Sequence, residues 1–195
     1  YVGEVPVTAL RVSYVGELGW ELHTSADFGL RLWDLLATAG SEYGILPGGR
    51  AAFNAMRLEK GYRAWGADLW STHDPDEAGL GFAVRMDKGD FVGREALLRR
   101  RETAPTRRLC CLSIDDDTVL MGSEPVFGEN GKEPVGFTTS AGYGQSVGAS
   151  LAYAWLPAHL SEEGTRLRVS YFDQRHPATV VSDPVFDPEM KRMRC

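Results

Sequence analysis

The chain is 195 residues long, 43% hydrophobic and 25% charged, with a formal net charge of -6 and a sequence pI of about 5.3. That length allows one large domain or two small ones, and the composition is ordinary for a globular chain with a core of useful size. The acidic balance argues against general nucleic-acid binding, which favours a basic face, and no apolar run is long enough to span a bilayer. No signal-peptide pattern opens the chain. Tyr1 stands without an initiator methionine and leads quickly into strand-like sequence, so the chain is expected to be a fragment.

In chain order, residues 7–14 are rich in β-branched side chains and predict a strand, and residues 20–24 predict a second. Gly16-Glu17-Leu18-Gly19 between them predicts a hairpin or tight connection. Ser25 reads as an N-cap, with Phe28, Leu32, Leu35, Leu36 and Ala39 following at helical spacing and Gly40 as the stop. A second helix is expected over residues 49–60, with Gly61 as its stop. Residues 62–69 read as loop or short extended structure, residues 80–86 as a strand and residues 94–101 as a short helix. Arg99, Arg100 and Arg101 close that last helix, where basic side chains suit the helix dipole.

From Arg107 onward short strands alternate with turns, over residues 109–114, 125–127, 135–139, 150–156, 166–172 and 178–182. Gly128-Glu129-Asn130-Gly131 is a strong turn signal. Such spacing predicts a small antiparallel barrel or sandwich. The change of periodicity places a domain boundary in the polar, proline-containing stretch 102–106, giving domains at 1–104 and 105–195. The fold class expected is α+β, with strands and helices first and an antiparallel β-barrel after.

Cysteines stand at 110, 111 and 195. Neighbours in a strand face opposite ways, so Cys110 and Cys111 do not make one site. With no CxxC spacing and an odd count, a disulfide framework is not expected, which points to a reducing compartment. His23, His73, His159 and His176 lack metal-ligand spacing. His73 lies beside Asp74, Asp76 and Glu77, a pattern that fits an oxygen-rich metal site or a solvated acidic loop. Ala141-Gly142-Tyr143-Gly144 lacks the Gly-Lys-Ser/Thr ending of a phosphate loop and the strand-to-helix setting of a dinucleotide fingerprint.

The informative stretch is Tyr14-Val15-Gly16-Glu17-Leu18-Gly19-Trp20-Glu21. An aromatic ring and a carboxylate at the mouth of a hairpin suit a flat heterocycle: the ring stacks, and the carboxylate accepts N–H bonds from an aminopyrimidine edge. Spacing alone favours an exposed Glu21 and a core Tyr14. The pattern Tyr-x-Gly-Glu-x-Gly-x-Glu resembles the signature of the aminomethyltransferase (glycine-cleavage T-protein) family. So does the run from Gly48 to Gly61, with Arg50, Arg57, Leu58 and Glu59 in the places of a family motif. The stretches 60–69, 77–80, 90–97, 150–154 and 183–188 resemble the dimethylglycine and sarcosine dehydrogenase branch more than the stand-alone transferase.

The resemblance implies tetrahydrofolate as cofactor, with Glu21 holding the pterin, Tyr14 packing on its ring and Arg50 donating to an oxo group or carboxylate. It implies structural roles for Arg57 and Glu59. It also implies that the catalytic aspartate of the family lies upstream of this chain, and that FAD is held by an upstream flavin domain of the same polypeptide. No catalytic residue is therefore expected within the chain, and the chain alone is expected to be inactive. The implied function is capture, as methylenetetrahydrofolate, of a one-carbon unit released from an N-methylglycine, in the cytoplasm or, in a eukaryote, the mitochondrial matrix. The alternatives are a stand-alone aminomethyltransferase or a non-catalytic folate-binding module. No metal, membrane or nucleic-acid partner is expected.

Overall fold

The chain is described here by a computed structural model over residues 1–194. Strands β1 (Thr8–Leu10) and β2 (Glu21–His23) pair antiparallel, with Leu10 opposite Glu21. Both are shorter than their expected strands, since each has only the other as a neighbour and most of their side chains stay in water. Ser25 precedes a 3-10 turn, Ala26–Phe28, and makes no side-chain cap bond. Helix α1 (Gly29–Gly40) follows and ends at Gly40, as expected. Gly40 holds helical backbone, and a Cβ there would sit 2.7 Å from the Ile45 side chain. A 3-10 turn, Ser41–Tyr43, comes next, and the reversal falls at Gly44, whose φ of 71° is left-handed.

Helix α2 (Arg50–Glu59) buries Arg57, Leu58 and Glu59 and ends as expected at Gly61, φ 75°. Residues 80–86 correct the expected strand. Leu80, Phe82, Val84 and Met86 alternate, yet the segment holds a 3-10 turn, Gly81–Ala83, and no strand. Alternation makes a strand only where a partner edge receives its N–H and C=O groups, and no β-partner pairs with this segment among the described residues. Helix α3 (Arg94–Arg101) has no buried residue. Its arginines do more than face the dipole: Arg100 pairs with Asp74 at 2.9 Å and Glu77 at 2.6 Å, and Arg101 with Asp76 at 2.6 Å.

The remaining strands are β3 (Arg107–Ile114), β4 (Pro125–Gly128), β5 (Pro134–Gly144), β6 (Ala149–Pro157), β7 (Arg166–Tyr171) and β8 (Gln174–Val181). They close into an antiparallel barrel in the order β3-β6-β5-β4-β7-β8. The Ala141–Gly144 stretch is the end of β5. Strand β6 explains why its sequence is a continuous apolar run. Ala152, Ala154 and Leu156 fill the barrel with Leu112, Val126, Leu167, Val169 and Val180, while Leu151, Tyr153 and Trp155 pack outward on Leu58 and Ala78. Burial of each large side chain contributes roughly 1.5–3 kcal/mol, so the second face of β6 is a substantial bond between the barrel and α2. Cys110 joins the inner cluster and Cys111 the outer one. The chain is thus a mixed helix and sheet fold with a closed six-stranded antiparallel barrel.

Candidate ligand site

The connection between β1 and β2 is held from beneath. Gly16 adopts φ 76°, and a Cβ there would lie 2.7 Å from Cγ and Cδ of Lys60, so the loop lies flat on the lysine stem. Lys60 is fully buried, and its Nζ donates to the Asp187 carbonyl at 2.5 Å and faces the Asp187 carboxylate at 3.6 Å. Tyr14 stacks on Phe53 and on Tyr62, with ring centroids 5.5 and 5.6 Å apart. Its hydroxyl donates to the Arg63 carbonyl. Desolvation pushes the Tyr14 phenol above its ordinary value, against the opposing charge of Arg57, so it is neutral at neutral pH.

Arg50 is the first residue of α2, and its guanidinium lies 5.5 Å from the centre of the Phe53 ring. Phe53 therefore gathers Tyr14 from the hairpin loop and Arg50 from its own helix. None of the Arg50 N–H groups makes a hydrogen bond among the described residues. Gly49 caps α2 without a side-chain bond, so the first-turn N–H groups are not taken by a capping side chain. Glu21 sits on the exposed hairpin, with Oε2 3.3 Å from His23 Nε2. Of the three residues singled out from sequence, Tyr14 and Arg50 share Phe53, and Glu21 pairs with His23.

Tyr14 also lines a cleft of about 610 Å³ whose walls include Tyr62, Trp65, Phe82, Asp183 and Met190. Trp65 is 72% exposed and Phe82 81%. Such large rings left in water beside a cleft are suited to stacking. Neither was singled out from sequence. Trp65 lay within a family-like stretch, and Phe82 was hidden in the alternation that imitates a strand. Arg63 fixes the floor by donating to Asp183 at 2.6 Å and to the Ala78 carbonyl at 3.1 Å, and Tyr153 donates to the other Asp183 oxygen at 2.5 Å.

Two buried networks hold these pieces in place. Arg57 meets Asp68 at 2.7 Å and Ser140 at 2.6 Å, while Asp68 also accepts from Ala64 N, Thr139 Oγ1 and Ser140 N. Glu59 accepts from the N–H groups of Ser146 and Val147 at 2.6 and 3.0 Å. Arg57 and Glu59 thus tie α2 to the barrel. Near His73, the carboxylates of Asp74, Asp76 and Glu77 are committed to Arg100, Arg101 and Arg107. The His73 ring stacks on Trp155 at 4.1 Å, and desolvation followed by the Arg107 charge lowers its pKa.

Residues 1–88 match the family model of the GCVT N-terminal domain, and residues 107–187 that of the glycine cleavage T-protein C-terminal barrel domain. The chain is 42% identical over 195 residues to mitochondrial dimethylglycine dehydrogenase of Homo sapiens, covering 99% of this chain and 22% of that protein. It is 36% identical over 193 residues to an aminomethyltransferase of Symbiobacterium thermophilum, covering 98% and 51%. A crystal structure of the glycine cleavage system aminomethyltransferase T from Bartonella henselae aligns with a TM-score of 0.83 at 26% identity, over 91% of this chain and 49% of that one. The chain spans 22% of the length of the dimethylglycine dehydrogenases and about half that of the transferases it matches. The two matched models account in order for the segment that holds α1 and α2 and for the barrel, and the chain belongs to the glycine cleavage T-protein family.

Proposed function

We propose that the chain is the tetrahydrofolate-binding region of an FAD-dependent dehydrogenase of N-methylglycines such as dimethylglycine or sarcosine. The observation that carries this reading is the meeting of Tyr14 and Arg50 on Phe53, beside a cleft walled by aromatic rings. The donor set fits a reduced pterin. Arg50 offers N–H groups to an oxo group or a carboxylate. Tyr14, with Trp65 and Phe82 nearby, offers ring faces. His23 meets Glu21 at Oε2, so Oε1 is open among the described residues to an aminopyrimidine edge. When bound, tetrahydrofolate supplies the amine nitrogens that accept the one-carbon unit as methylenetetrahydrofolate.

These residues bind and orient; the chemistry belongs to the cofactors. The 42% identity to a dimethylglycine dehydrogenase favours that branch. In this reading residues 1–104 are the carboxyl-terminal part of the folate domain, residues 105–195 the barrel, and FAD and the aspartate of the family reside upstream. The location is the cytoplasm, or the mitochondrial matrix in a eukaryote. The equal coverage of aminomethyltransferases supports a second reading, a stand-alone transferase, and flavin absorbance in the full-length polypeptide separates the two.

The test is calorimetric titration of tetrahydrofolate into the full-length polypeptide and its Arg50→Gln and Glu21→Gln variants. Each variant is expected to lose about 1.5–3 kcal/mol of binding, the scale of a hydrogen bond to a charged group. Affinities equal to wild type in both would overturn the assignment.

A further inference from the structure

After β8 the chain leaves the barrel and returns to the helical part, touching it at successive points. Asp183 takes Arg63 at 2.6 Å, and Phe186 N–H donates to the Glu59 carbonyl at 3.1 Å. Asp187 takes Lys60. Arg192 Nε lies 3.0 Å from both carboxylate oxygens of Glu17. Tyr62 donates its hydroxyl to the Met193 sulfur at 3.3 Å. Pro184 and Met190 line the same cleft as Tyr14.

Two of these contacts close on the motif loop. Glu17 is a loop residue, so Arg192 grips the loop directly. Lys60 is its floor, because Gly16 rests on the lysine stem. The lysine ammonium is oriented by Asp187, whose carboxylate in turn accepts the N–H groups of Lys191 and Arg192 at 2.9 and 3.1 Å. A turn at 187–192 therefore organises both grips at once. Tyr14 stands two residues before Gly16 and three before Glu17, so loop displacement moves its ring.

We propose that residues 183–194 are the positioning segment of the candidate site: Asp187 through Lys60, and Arg192 through Glu17, fix the loop that presents Tyr14 to the cleft. Neither residue touches the ligand; each acts through the loop. The folate half of this inference rests on the proposed function, and the loop half does not.

The experiment uses the full-length polypeptide and two readouts. Hydrogen–deuterium exchange of peptides spanning residues 12–20 reports the loop without any ligand, and titration with tetrahydrofolate reports the site. Glu17→Arg and Arg192→Glu each place like charges together on an exposed pair that the fold tolerates. Each is expected to quicken exchange of the loop about threefold or more, the scale of one exposed ion pair, and to weaken tetrahydrofolate binding in proportion. The double variant Glu17→Arg with Arg192→Glu restores the pair and is expected to recover both readouts, which a general loss of stability would not do. Lys60→Met keeps the stem beneath Gly16 and removes the ammonium, and is expected to quicken the same peptides. Unchanged exchange in both single variants, or no recovery in the double, overturns the positioning role. If wild type fails to bind tetrahydrofolate while loop exchange responds and recovers, the folate reading falls and the positioning segment stands.

Discussion

Asp68 is the residue on which the arrangement of α2, the 62–69 loop and the barrel most depends, and Asp68→Asn tests that. The side chain is fully buried. Its Oδ2 accepts from Arg57 and from the Ala64 N–H, both at 2.7 Å, while Oδ1 accepts from Thr139 at 2.6 Å and the Ser140 N–H at 3.0 Å. An asparagine has the same shape but one acceptor oxygen. Turned either way, its NH2 faces a backbone N–H that cannot accept. The less costly orientation keeps oxygen toward Arg57, lets the Thr139 hydroxyl rotate and abandons the Ser140 N–H. Arg57 is then a buried cation without its counter-charge. Breaking a buried pair from one side costs about 3–5 kcal/mol, a large part of a typical domain stability of roughly 5–15 kcal/mol. With a urea slope of about 2 kcal/mol/M, the unfolding midpoint of the 195-residue chain is expected to fall by about 2 M. A midpoint shift below about 0.5 M in urea for Asp68→Asn would refute the view that this network holds the two parts together.

Two further outcomes follow from the titrating groups. Desolvation raises the Asp74 carboxyl, but the Glu77 N–H and the Arg100 guanidinium outweigh it and hold the pKa below the ordinary value of 3.8. A lowered folded pKa contributes stability that is present above the unfolded value and lost as pH falls through the folded one, so acid unfolding curves of Asp74→Asn should lose part of the decline that wild type shows below about pH 4. Burial pushes the Cys110 thiol up to about 11 and Cys111 further still, and Cys111 is only 1% exposed. Iodoacetamide at pH 8 is expected to leave both unmodified in the native chain and to label both in urea, as read by mass spectrometry of the tryptic peptides; native labelling of Cys111 would contradict its burial.

The barrel was legible because its strands carry their own evidence. Residues 109–114 and 150–156 are apolar on both faces, which follows from one face filling the barrel and the other meeting α2. Helix α2 was legible because its spacing and Gly61 agree with what its packing requires. Residues 80–86 misled because alternation describes side chains and says nothing about whether a neighbouring edge exists. Gly40 marked the end of α1 correctly, but it is small because Ile45 approaches it, and the reversal belongs to Gly44. The arginines at 100 and 101 were read against their own helix, while their partners lie 23 to 26 residues earlier. Of the candidate site, the hairpin motif brought Tyr14 to notice and the run from Gly48 to Gly61 brought Arg50, but the ring that unites them, Phe53, drew no attention as an ordinary apolar position of a helix. The grip of residues 183–194 on Glu17 spans 175 residues, beyond any local pattern.

The closure of the barrel bears on how the molecule meets others. Each of its six strands has a neighbour on both sides, with β3 and β8 completing the ring. An open sheet presents a row of unsatisfied N–H and C=O groups that any extended peptide can join without regard to sequence. Here that sequence-blind route is shut wherever a strand is paired along both edges. Along those doubly paired stretches recognition proceeds through side chains and loops, which discriminate among partners, and strand-on-strand stacking of one molecule on another finds no template.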